Sequence, residues 1–337
     1  MPESDEEAQR VAEERIGIRP CLWQIKVVRM ILEQWDVITI AATGSGKSLI
    51  YWMALLFIKH GIVVLVTPLK LLGEQFVSVL DKNELTAVSM TASNSNNELF
   101  EVCGLYTTRL NVHIISTQLQ KIGKGLYKFI VVSPELLLND GWWDRLWTKK
   151  QFTNNIICVA LDEAHVIKEW GGTFRSDYLK LGTLRYLWPR MIPVVLGSAT
   201  VGPQLVPELS KNLHLRSDAT FIARLNTDRP NIFLVVERMK HPANSYEDLA
   251  FLIKKGLTAN DPKPIKFLVF FNSRAEAQAG SEYLKARLSP ELKNKVNWFH
   301  SGMTDEFRES EIHALLVGDV FGDGATDAAG MVSYSIQ

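Results

Sequence analysis

The chain has 337 residues, 47% of them hydrophobic, and its 37 Lys and Arg side chains balance 37 Asp and Glu side chains. This length and composition predict buried cores in two domains, while the zero net charge excludes a globally basic nucleic-acid-binding protein. Any contact with a polyanion must therefore come from local placement of charge. Three separated cysteines without a CxxC pair favour a reducing compartment and argue against a zinc site.

The N-terminal segment, residues 1–15, is acidic and lacks the basic and apolar regions of a signal peptide. We predict that it is disordered. The densest apolar stretch, around residues 49–66, is interrupted by Lys59, His60 and Gly61, so it falls short of the ~18–20 apolar residues that a membrane span needs. The sequence therefore predicts a soluble intracellular protein with no membrane segment.

Five apolar runs in the first two thirds of the chain have the length of strands. They are residues 36–42, 61–68, 128–134, 156–163 and 192–200. Their apolar residues are continuous rather than alternating, which indicates burial on both faces and hence a parallel sheet. Segments of helical length, such as 46–59 and 69–80, separate the strands. This order predicts a doubly wound α/β domain.

A second group of elements follows a boundary that we place between residues 220 and 230. Residues 266–274 and 296–302 are predicted as strands, and residues 274–288 form an amphipathic helical pattern between them. The predicted domains are therefore residues 16–225 and residues 226–337.

The segment AATGSGKS, residues 41–48, follows a predicted strand and opens a helix, which is the context of a phosphate-binding P-loop. Gly44 and Gly46 allow the backbone to turn its N–H groups toward phosphate oxygens. Lys47 is predicted to reach the β- and γ-phosphates, and Ser48 to ligate Mg²⁺. Alanine replaces the first glycine of the general pattern. The alternative is a glycine-rich turn that binds nothing.

An acidic pair ends the apolar run in ICVALDEAH, residues 157–165. Asp162 can hold Mg²⁺ through water, and Glu163 can polarise an attacking water. Neighbouring parallel strands would bring both carboxylates to a γ-phosphate held by Lys47. His165 is interpreted as a relay toward the segment GSAT, or as a polar residue satisfied locally. An ordinary strand end remains the alternative for the acidic pair.

In this order, ATGSGKS, DEAH and GSAT resemble motifs I, II and III of superfamily 2 helicases. The segment IKEWGGTFRSDYLKLGTLR (167–185) is similar to the aromatic-rich loop and helix of the RecQ family of 3′-to-5′ DNA helicases, which DEAH-type RNA helicases lack. TDRPNI (227–232) resembles the junction of the two RecQ motor domains. FNSRAEA (271–277) and FHSGMTDEFRE (299–309) match motif IV and the segment after it, so the resemblance spans about residues 16–331.

This resemblance implies an α/β fold in which a RecA-like P-loop NTPase domain precedes a second, incomplete RecA-like domain. It implies ATP and Mg²⁺ as cofactors and single-stranded or forked DNA as the partner. The implied function is that of an ATP-dependent 3′-to-5′ helicase or translocase in DNA repair and recombination. A eukaryotic source would place it in the nucleus, and any other source in the cytoplasm. Protein partners, preferred DNA structure and oligomeric state are not specified by the sequence.

The resemblance also assigns residue roles. The nucleotide contacts are Gln24, which would read the adenine edge, and Thr43, Gly44, Ser45, Gly46, Lys47 and Ser48. The catalytic residues are Lys47, Asp162, Glu163 and His165, with Ser48 and Asp162 as metal ligands. Thr67 and Ser133 would contact the DNA backbone, while Ser198 and Thr200 would link nucleotide state to the domain interface.

The aromatic loop is interpreted as the coupling element. Trp170 and Phe174 would stack on or wedge beside unpaired bases, and Arg175 would bond a phosphate. Because the loop directly follows the DEAH segment, DNA binding would shift the catalytic carboxylates and stimulate hydrolysis. The alternative is that these aromatic residues only cap the sheet.

The sequence departs from the family pattern in two places. After ATDAAGM (325–331) the resemblance to motif V stops, and no final motif with arginine fingers follows; residues 103–120 lengthen a stretch that the family keeps shorter. One hypothesis is that residues 332–337 are translated intron sequence. A second function hypothesis is therefore an ATP- and DNA-binding remnant with little turnover. A third, a small-molecule kinase, would need neither GSAT nor the second domain.

Overall fold

The computed structural model describes residues 1–67, 70–90, 119–138, 146–165, 181–188, 191–300 and 302–326. The chain divides into two compact units, Met1–Asn231 (unit 1) and Ile232–Gln337 (unit 2). Within the described ranges every helix is too short or too polar to cross a lipid bilayer.

Unit 1 is built on a parallel sheet that has seven strands within the described ranges. They are β1 (Asp36–Ile40), β2 (Ile62–Val66), β3 (Ala87–Met90), β4 (Phe129–Val132), β5 (Ile156–Leu161), β6 (Val194–Ser198) and β7 (Thr220–Arg224). Their order is β3-β4-β2-β5-β6-β1-β7. The five strands predicted from the sequence are all present and buried along their length, which confirms the parallel α/β prediction.

Helices cover both faces of this sheet. They are α1 (Asp5–Ile16), α2 (Leu22–Leu32), α3 (Lys47–Met53), α4 (Lys70–Lys82), α5 (Pro134–Leu138), α6 (Lys150–Thr153) and α7 (Leu205–Asn212). Short 3-10 helices occupy Ala54–Leu56 and Leu181–Tyr186. Val64 and Val66 of β2 belong to one apolar cluster, and Val63 and Leu65 belong to another. Since successive strand residues point to opposite faces, each face of the sheet packs into its own core.

The prediction of a disordered segment at residues 1–15 is wrong, because Asp5–Ile16 forms α1. The Ser4 hydroxyl accepts a hydrogen bond from the Glu7 N–H, and the acidic residues of the first turn lie at the positive end of the helix dipole. Ala8 and Ala12 are fully buried in the core that α2 also joins. The acidic residues of this segment therefore belong to the first turn of a helix and do not indicate disorder.

The carboxyl ends of three strands bring the predicted motifs to one edge of the sheet. The P-loop follows β1, the acidic pair follows β5, and the GSAT segment begins in β6 and runs past its end. Strand β6 pairs with both β1 and β5. The expectation that β1 and β5 are direct neighbours is therefore wrong. The strand of GSAT separates them, so that all three motifs converge at the edge where ligands bind in open α/β sheets.

A buried carboxylate, Asp36 at the start of β1, holds together the other end of the sheet, where β1, β6 and β7 begin. Asp36 is 0% exposed and accepts hydrogen bonds from Arg185 Nη2 at 2.5 Å, Val194 N at 2.8 Å, Arg216 N at 2.9 Å and Arg216 Nε at 3.1 Å. One side chain therefore ties β1 to the 3-10 helix at Leu181–Tyr186, to β6 and to the approach of β7.

Unit 2 contains a smaller parallel sheet with the order β8-β10-β9 in its described residues. Its elements are β8 (Phe267–Phe270), α8 (Arg274–Lys285), β9 (Val296–Phe299), α9 (Asp305–Val317) and β10 (Gly322–Ala325). Further 3-10 helices lie at Ala243–Ser245, Glu247–Leu252 and Pro290–Lys295. The central strand β10 was not predicted, because its sequence GDGA has no apolar run.

A buried carboxyl group in β10 makes the stability of unit 2 dependent on pH. Burial, together with the charge of Glu311, raises the pKa of Asp323 to about 7. The folded state therefore holds a proton that the unfolded chain releases near pH 4, so the stabilisation is complete below that pH and is lost as the pH rises toward 7.

Replacing Asp323 by asparagine is expected to remove this pH dependence. Hydrogen exchange of the β9 and β10 amides, corrected for intrinsic rates, should show faster opening at pH 8 than at pH 5 in the wild type and a much smaller difference in Asp323→Asn. Asp319→Asn, at an exposed position nearby, serves as the control. An unchanged pH difference in Asp323→Asn would assign the effect to another group.

Candidate nucleotide-binding site

The P-loop between β1 and α3 has the backbone that its glycines permit. Gly44 and Gly46 both adopt a left-handed conformation with φ of 82°, which residues with a Cβ rarely enter. A Cβ on Gly46 would also lie 2.6 Å from Gln24 Nε2. The left-handed φ is what favours glycine at position 46, whereas the Gln24 amide could move aside, and α3 begins directly after this glycine at Lys47.

The Lys47 ammonium lies inside this loop. Lys47 Nζ donates hydrogen bonds to the carbonyl oxygens of Ala41 at 2.8 Å and Ala42 at 3.1 Å. Its burial lowers the pKa of the ammonium, and the charges of Glu163 and Asp162 oppose that shift. Both described hydrogen bonds of this buried cation end on neutral carbonyl oxygens, so an incoming anion would gain a strong interaction here.

The acidic loop after β5 is anchored to α3. Asp162 Oδ1 accepts hydrogen bonds from Tyr51 Oη at 2.8 Å and from the Glu163 N–H at 3.0 Å. Burial, and then the charge of Glu163, raise the pKa of the Asp162 carboxyl to about 6, while the two hydrogen bonds lower it. Glu163 adopts a left-handed φ of 51°, a conformation that costs a non-glycine residue free energy and is frequent at functional sites.

His165 connects the acidic loop to the end of β6. His165 Nδ1 lies 2.9 Å from Ser198 Oγ and 3.0 Å from Glu163 Oε2. Ser198 Oγ in turn accepts the Thr200 N–H at 3.2 Å, so the DEAH and SAT segments form one hydrogen-bonded chain. This is the contact expected from interpreting His165 as a relay; its catalytic role stays a prediction.

The Gln24 side chain bridges α2 and the P-loop. Its Oε1 accepts the Cys21 N–H at 2.6 Å, and its Nε2 donates to the Gly46 carbonyl at 2.8 Å. Both ends of the amide therefore have protein partners, and reading an adenine edge would require at least one of them to be exchanged. The adenine contact stays a prediction.

The remaining predicted residues differ in their surroundings. The Ser48 hydroxyl is on an exposed residue at the start of α3, whereas Thr67 at the end of β2 is buried. Ser133 Oγ lies 3.4 Å from the Leu136 N–H and thereby caps α5. Thr43 and Ser45 lie in the P-loop beside the glycines. Trp170, Phe174 and Arg175 lie outside the described residues, so their DNA role stays a prediction.

Two contacts at the site were not predicted from the sequence. Tyr51, on α3, meets the DEAH aspartate as described above. Arg229, in the segment TDRPNI, donates from Nη1 to the carbonyl oxygen of Thr43 at 3.0 Å. No local pattern predicts either contact, because each one joins positions more than 100 residues apart.

Comparison with known families identifies this arrangement. The family model described as DEAD/DEAH box helicase matches residues 22–207, a range that contains the P-loop, the acidic pair and Ser198. The chain belongs to the DEAD/DEAH box helicase family.

Curated relatives place this helicase chain more narrowly. It is 29% identical over 318 residues to the Mus musculus bifunctional 3′-5′ exonuclease/ATP-dependent helicase WRN, covering 94% of the chain and 20% of that relative. It is 26% identical over 290 residues to the ATP-dependent DNA helicase RecQ of Haemophilus influenzae, covering 85% of the chain and 40% of that relative. The chain is thus a RecQ-like superfamily 2 helicase, and it spans less than half the length of these relatives.

Solved structures give the same fold for this helicase. The DUF1998 helicase MrfA bound to DNA superposes with a TM-score of 0.64 at 18% identity, covering 97% of this chain and 45% of that one. The Mycobacterium smegmatis helicase Lhr bound to ssDNA and AMP-PNP superposes with a TM-score of 0.57, also at 18% identity, covering 95% of this chain and 41% of that one. These similarities confirm the predicted RecA-like α/β helicase fold.

Proposed function

We propose that this chain is the motor of an ATP-dependent DNA helicase of RecQ type, which couples ATP hydrolysis to 3′-to-5′ movement along DNA and to strand separation. The observation that carries the proposal is the 2.8 Å hydrogen bond from Tyr51 Oη to Asp162 Oδ1, because it fastens the P-loop helix to the acidic loop. Similarity to relatives named as DNA helicases supports the nucleic-acid part of the proposal.

Phosphate binding begins with Lys47 in this proposal. Its ammonium would exchange the carbonyl oxygens of Ala41 and Ala42 for phosphate oxygens, whose full negative charge forms shorter and stronger hydrogen bonds. The left-handed turns at Gly44 and Gly46 leave backbone N–H groups to line the loop. The positive charge of Lys47 and these N–H donors suit the negative charge of a triphosphate.

The oxygen ligands that we propose for Mg²⁺ are the hydroxyl of Ser48 and the carboxylate of Asp162. Two oxygen ligands from the protein fit Mg²⁺, which prefers hard oxygen ligands and completes its coordination shell with water and phosphate oxygens. When bound, the ion neutralises charge that develops on the phosphate oxygens. Glu163 would hold the attacking water, and His165 would keep Glu163 in register with Ser198, since its Nδ1 lies about equally far from both side chains.

DNA coupling is proposed to enter through the aromatic loop. Trp170 and Phe174 would stack on unpaired bases of single-stranded or forked DNA, and Arg175 would bond a phosphate. Trp170 follows His165 by five positions in the sequence, so DNA contacts made by the loop would reposition the His165 contacts with Glu163 and Ser198.

The decisive experiment measures ATP hydrolysis with and without single-stranded DNA, and then unwinding of duplexes that carry a 3′ or a 5′ tail. The proposal requires strong stimulation by DNA and unwinding that depends on the 3′ tail. Nucleotide and DNA binding without turnover would instead support a helicase remnant, and absence of adenine nucleotide binding would remove the assignment.

Replacing Trp170 by alanine is expected to separate chemistry from coupling. Each base stacked on an aromatic side chain contributes ~1–3 kcal/mol, so Trp170→Ala should retain basal ATP hydrolysis and lose most of the DNA stimulation. Tyr186→Ala removes an aromatic side chain of a residue that is 74% exposed and serves as the matched control. Equal stimulation in wild type and Trp170→Ala would contradict a coupling role for the aromatic loop.

A further inference from the structure

Tyr51 is held on three sides within unit 1. It follows Lys47 by one helical turn on α3, so both side chains lie on the same face of that helix. The residue is 0% exposed, and its ring centroid lies 6.3 Å from that of Phe76 on α4. Its hydroxyl reaches Asp162 Oδ1 at 2.8 Å. A tyrosine enclosed in this way has little rotational freedom, so the position of its hydroxyl beside Asp162 is fixed.

The two oxygens of the Asp162 carboxylate are differentiated by this contact. Both hydrogen bonds that the described residues donate to Asp162, from Tyr51 Oη and from the Glu163 N–H, end on Oδ1. A carboxylate fixed through one oxygen cannot rotate freely about its terminal bond. The second oxygen, Oδ2, therefore keeps a constant direction, which is what ligation of a small, geometrically strict cation requires.

Gly197, the glycine of GSAT, makes room for this tyrosine. It pairs with Thr39 of β1, and its carbonyl accepts the Ala164 N–H at 3.1 Å. A Cβ at Gly197 would overlap the Tyr51 hydroxyl and would lie 2.9 Å from Cζ of the ring. The absence of a side chain at this position in β6 is thus a condition for the contact between Tyr51 and Asp162.

We infer that Tyr51 is a positioning residue that orients the Asp162 carboxylate toward the divalent cation of the bound nucleotide, and that Gly197 is glycine in order to admit it. The inference rests on the function proposed above, and it adds a residue of α3 to the metal site. Through this contact the second turn of the P-loop helix, the DEAH segment and the GSAT segment share one geometric constraint.

The test is the affinity for Mn²⁺, a paramagnetic substitute for Mg²⁺, measured by electron paramagnetic resonance on the whole chain saturated with a non-hydrolysable ATP analogue. Tyr51→Phe keeps the ring and removes the hydroxyl. It is expected to weaken Mn²⁺ binding about tenfold, the size expected for one hydrogen bond to a charged group. Affinity for the metal-free nucleotide should change less than threefold, because Lys47 and the loop amides are untouched.

Tyr186→Phe provides the matched control, since it removes the same hydroxyl from a tyrosine that is 74% exposed. Unchanged Mn²⁺ affinity in Tyr51→Phe, with or without lower thermal stability, would reduce Tyr51 to a packing residue and overturn the inference. Tighter Mn²⁺ binding would also overturn it, because the hydroxyl would then be competing with the metal for the carboxylate. Failure of the wild type to bind the analogue would instead count against the proposed function.

Gly197→Ala gives an independent arm of the same test. The added methyl group should displace the Tyr51 hydroxyl and weaken Mn²⁺ binding at least as much as Tyr51→Phe does. In the double variant the overlapping oxygen is gone and only the tighter contact with the ring remains. The two effects should therefore be less than additive, whereas full additivity would show that Gly197 and Tyr51 act separately.

Discussion

Replacing Lys47 by alanine is expected to lower ATP turnover at least about 100-fold, the loss typical when one preorganised donor to developing charge is removed. The physical reason is that Lys47 supplies the only buried cation described in the P-loop, and its ammonium is enclosed by the carbonyls of Ala41 and Ala42. Turnover is measured as phosphate release at saturating ATP and DNA.

The fold of Lys47→Ala should be intact. Burial disfavours the charged form of Lys47, and removing this side chain also removes the free-energy cost of burying its charge. Lys82→Ala, at the exposed end of α4, is the matched control and should retain full turnover. Wild-type turnover in a folded Lys47→Ala protein would mean that the triphosphate binds elsewhere.

Replacing Asp36 by alanine is expected to be the most destabilising of the substitutions considered. It would leave the Arg185 guanidinium, whose side chain is 6% exposed, without its buried carboxylate, and would strand the Val194 and Arg216 N–H groups. Removing one partner of a buried ion pair costs about 3–5 kcal/mol in free energy of unfolding. Urea unfolding followed by tryptophan fluorescence reports mainly on unit 1, which contains every tryptophan except Trp298.

The matched control for Asp36 is Asp218→Ala, an exposed aspartate just before β7, which should change the free energy of unfolding by less than about 0.5 kcal/mol. Because Asp36 and the P-loop lie at opposite ends of β1, the folded fraction of Asp36→Ala should bind nucleotide normally. A loss of stability below about 1 kcal/mol would show that the two arginines find other acceptors.

The sequence predicted the parts of the fold that depend on continuous burial. Strands β1, β2, β4, β5 and β6 lie inside the sheet of unit 1, and their unbroken apolar runs follow from helices on both faces. The edge strands β3 and β7 are partly exposed, so their sequences AVSM and TFIAR carry no such run. The helix α1 was missed for another reason: its stabilisation comes from capping at Ser4 and from two alanines in the core.

The site was predictable where chemistry fixes residue type and spacing within a short segment. Gly44, Gly46 and Lys47 are such a set, because a turn and a cation must follow one strand directly. The contacts of Tyr51 and Arg229 depend instead on which strands become neighbours, and the position of β6 between β1 and β5 was not available from local pattern. Gly197 shows the same limit, since only the arrival of Tyr51 explains why this position has no side chain.

The left-handed backbone at Glu163 has a consequence for how this protein can be improved. The turn directs the Glu163 N–H to Asp162 Oδ1 and the Glu163 carboxylate to His165, yet glycine would adopt it with less strain. The residue that best suits the backbone lacks the carboxylate that the proposed chemistry needs. Selection for thermal tolerance and selection for turnover therefore favour different amino acids at this position, and any stabilising design should leave it untouched.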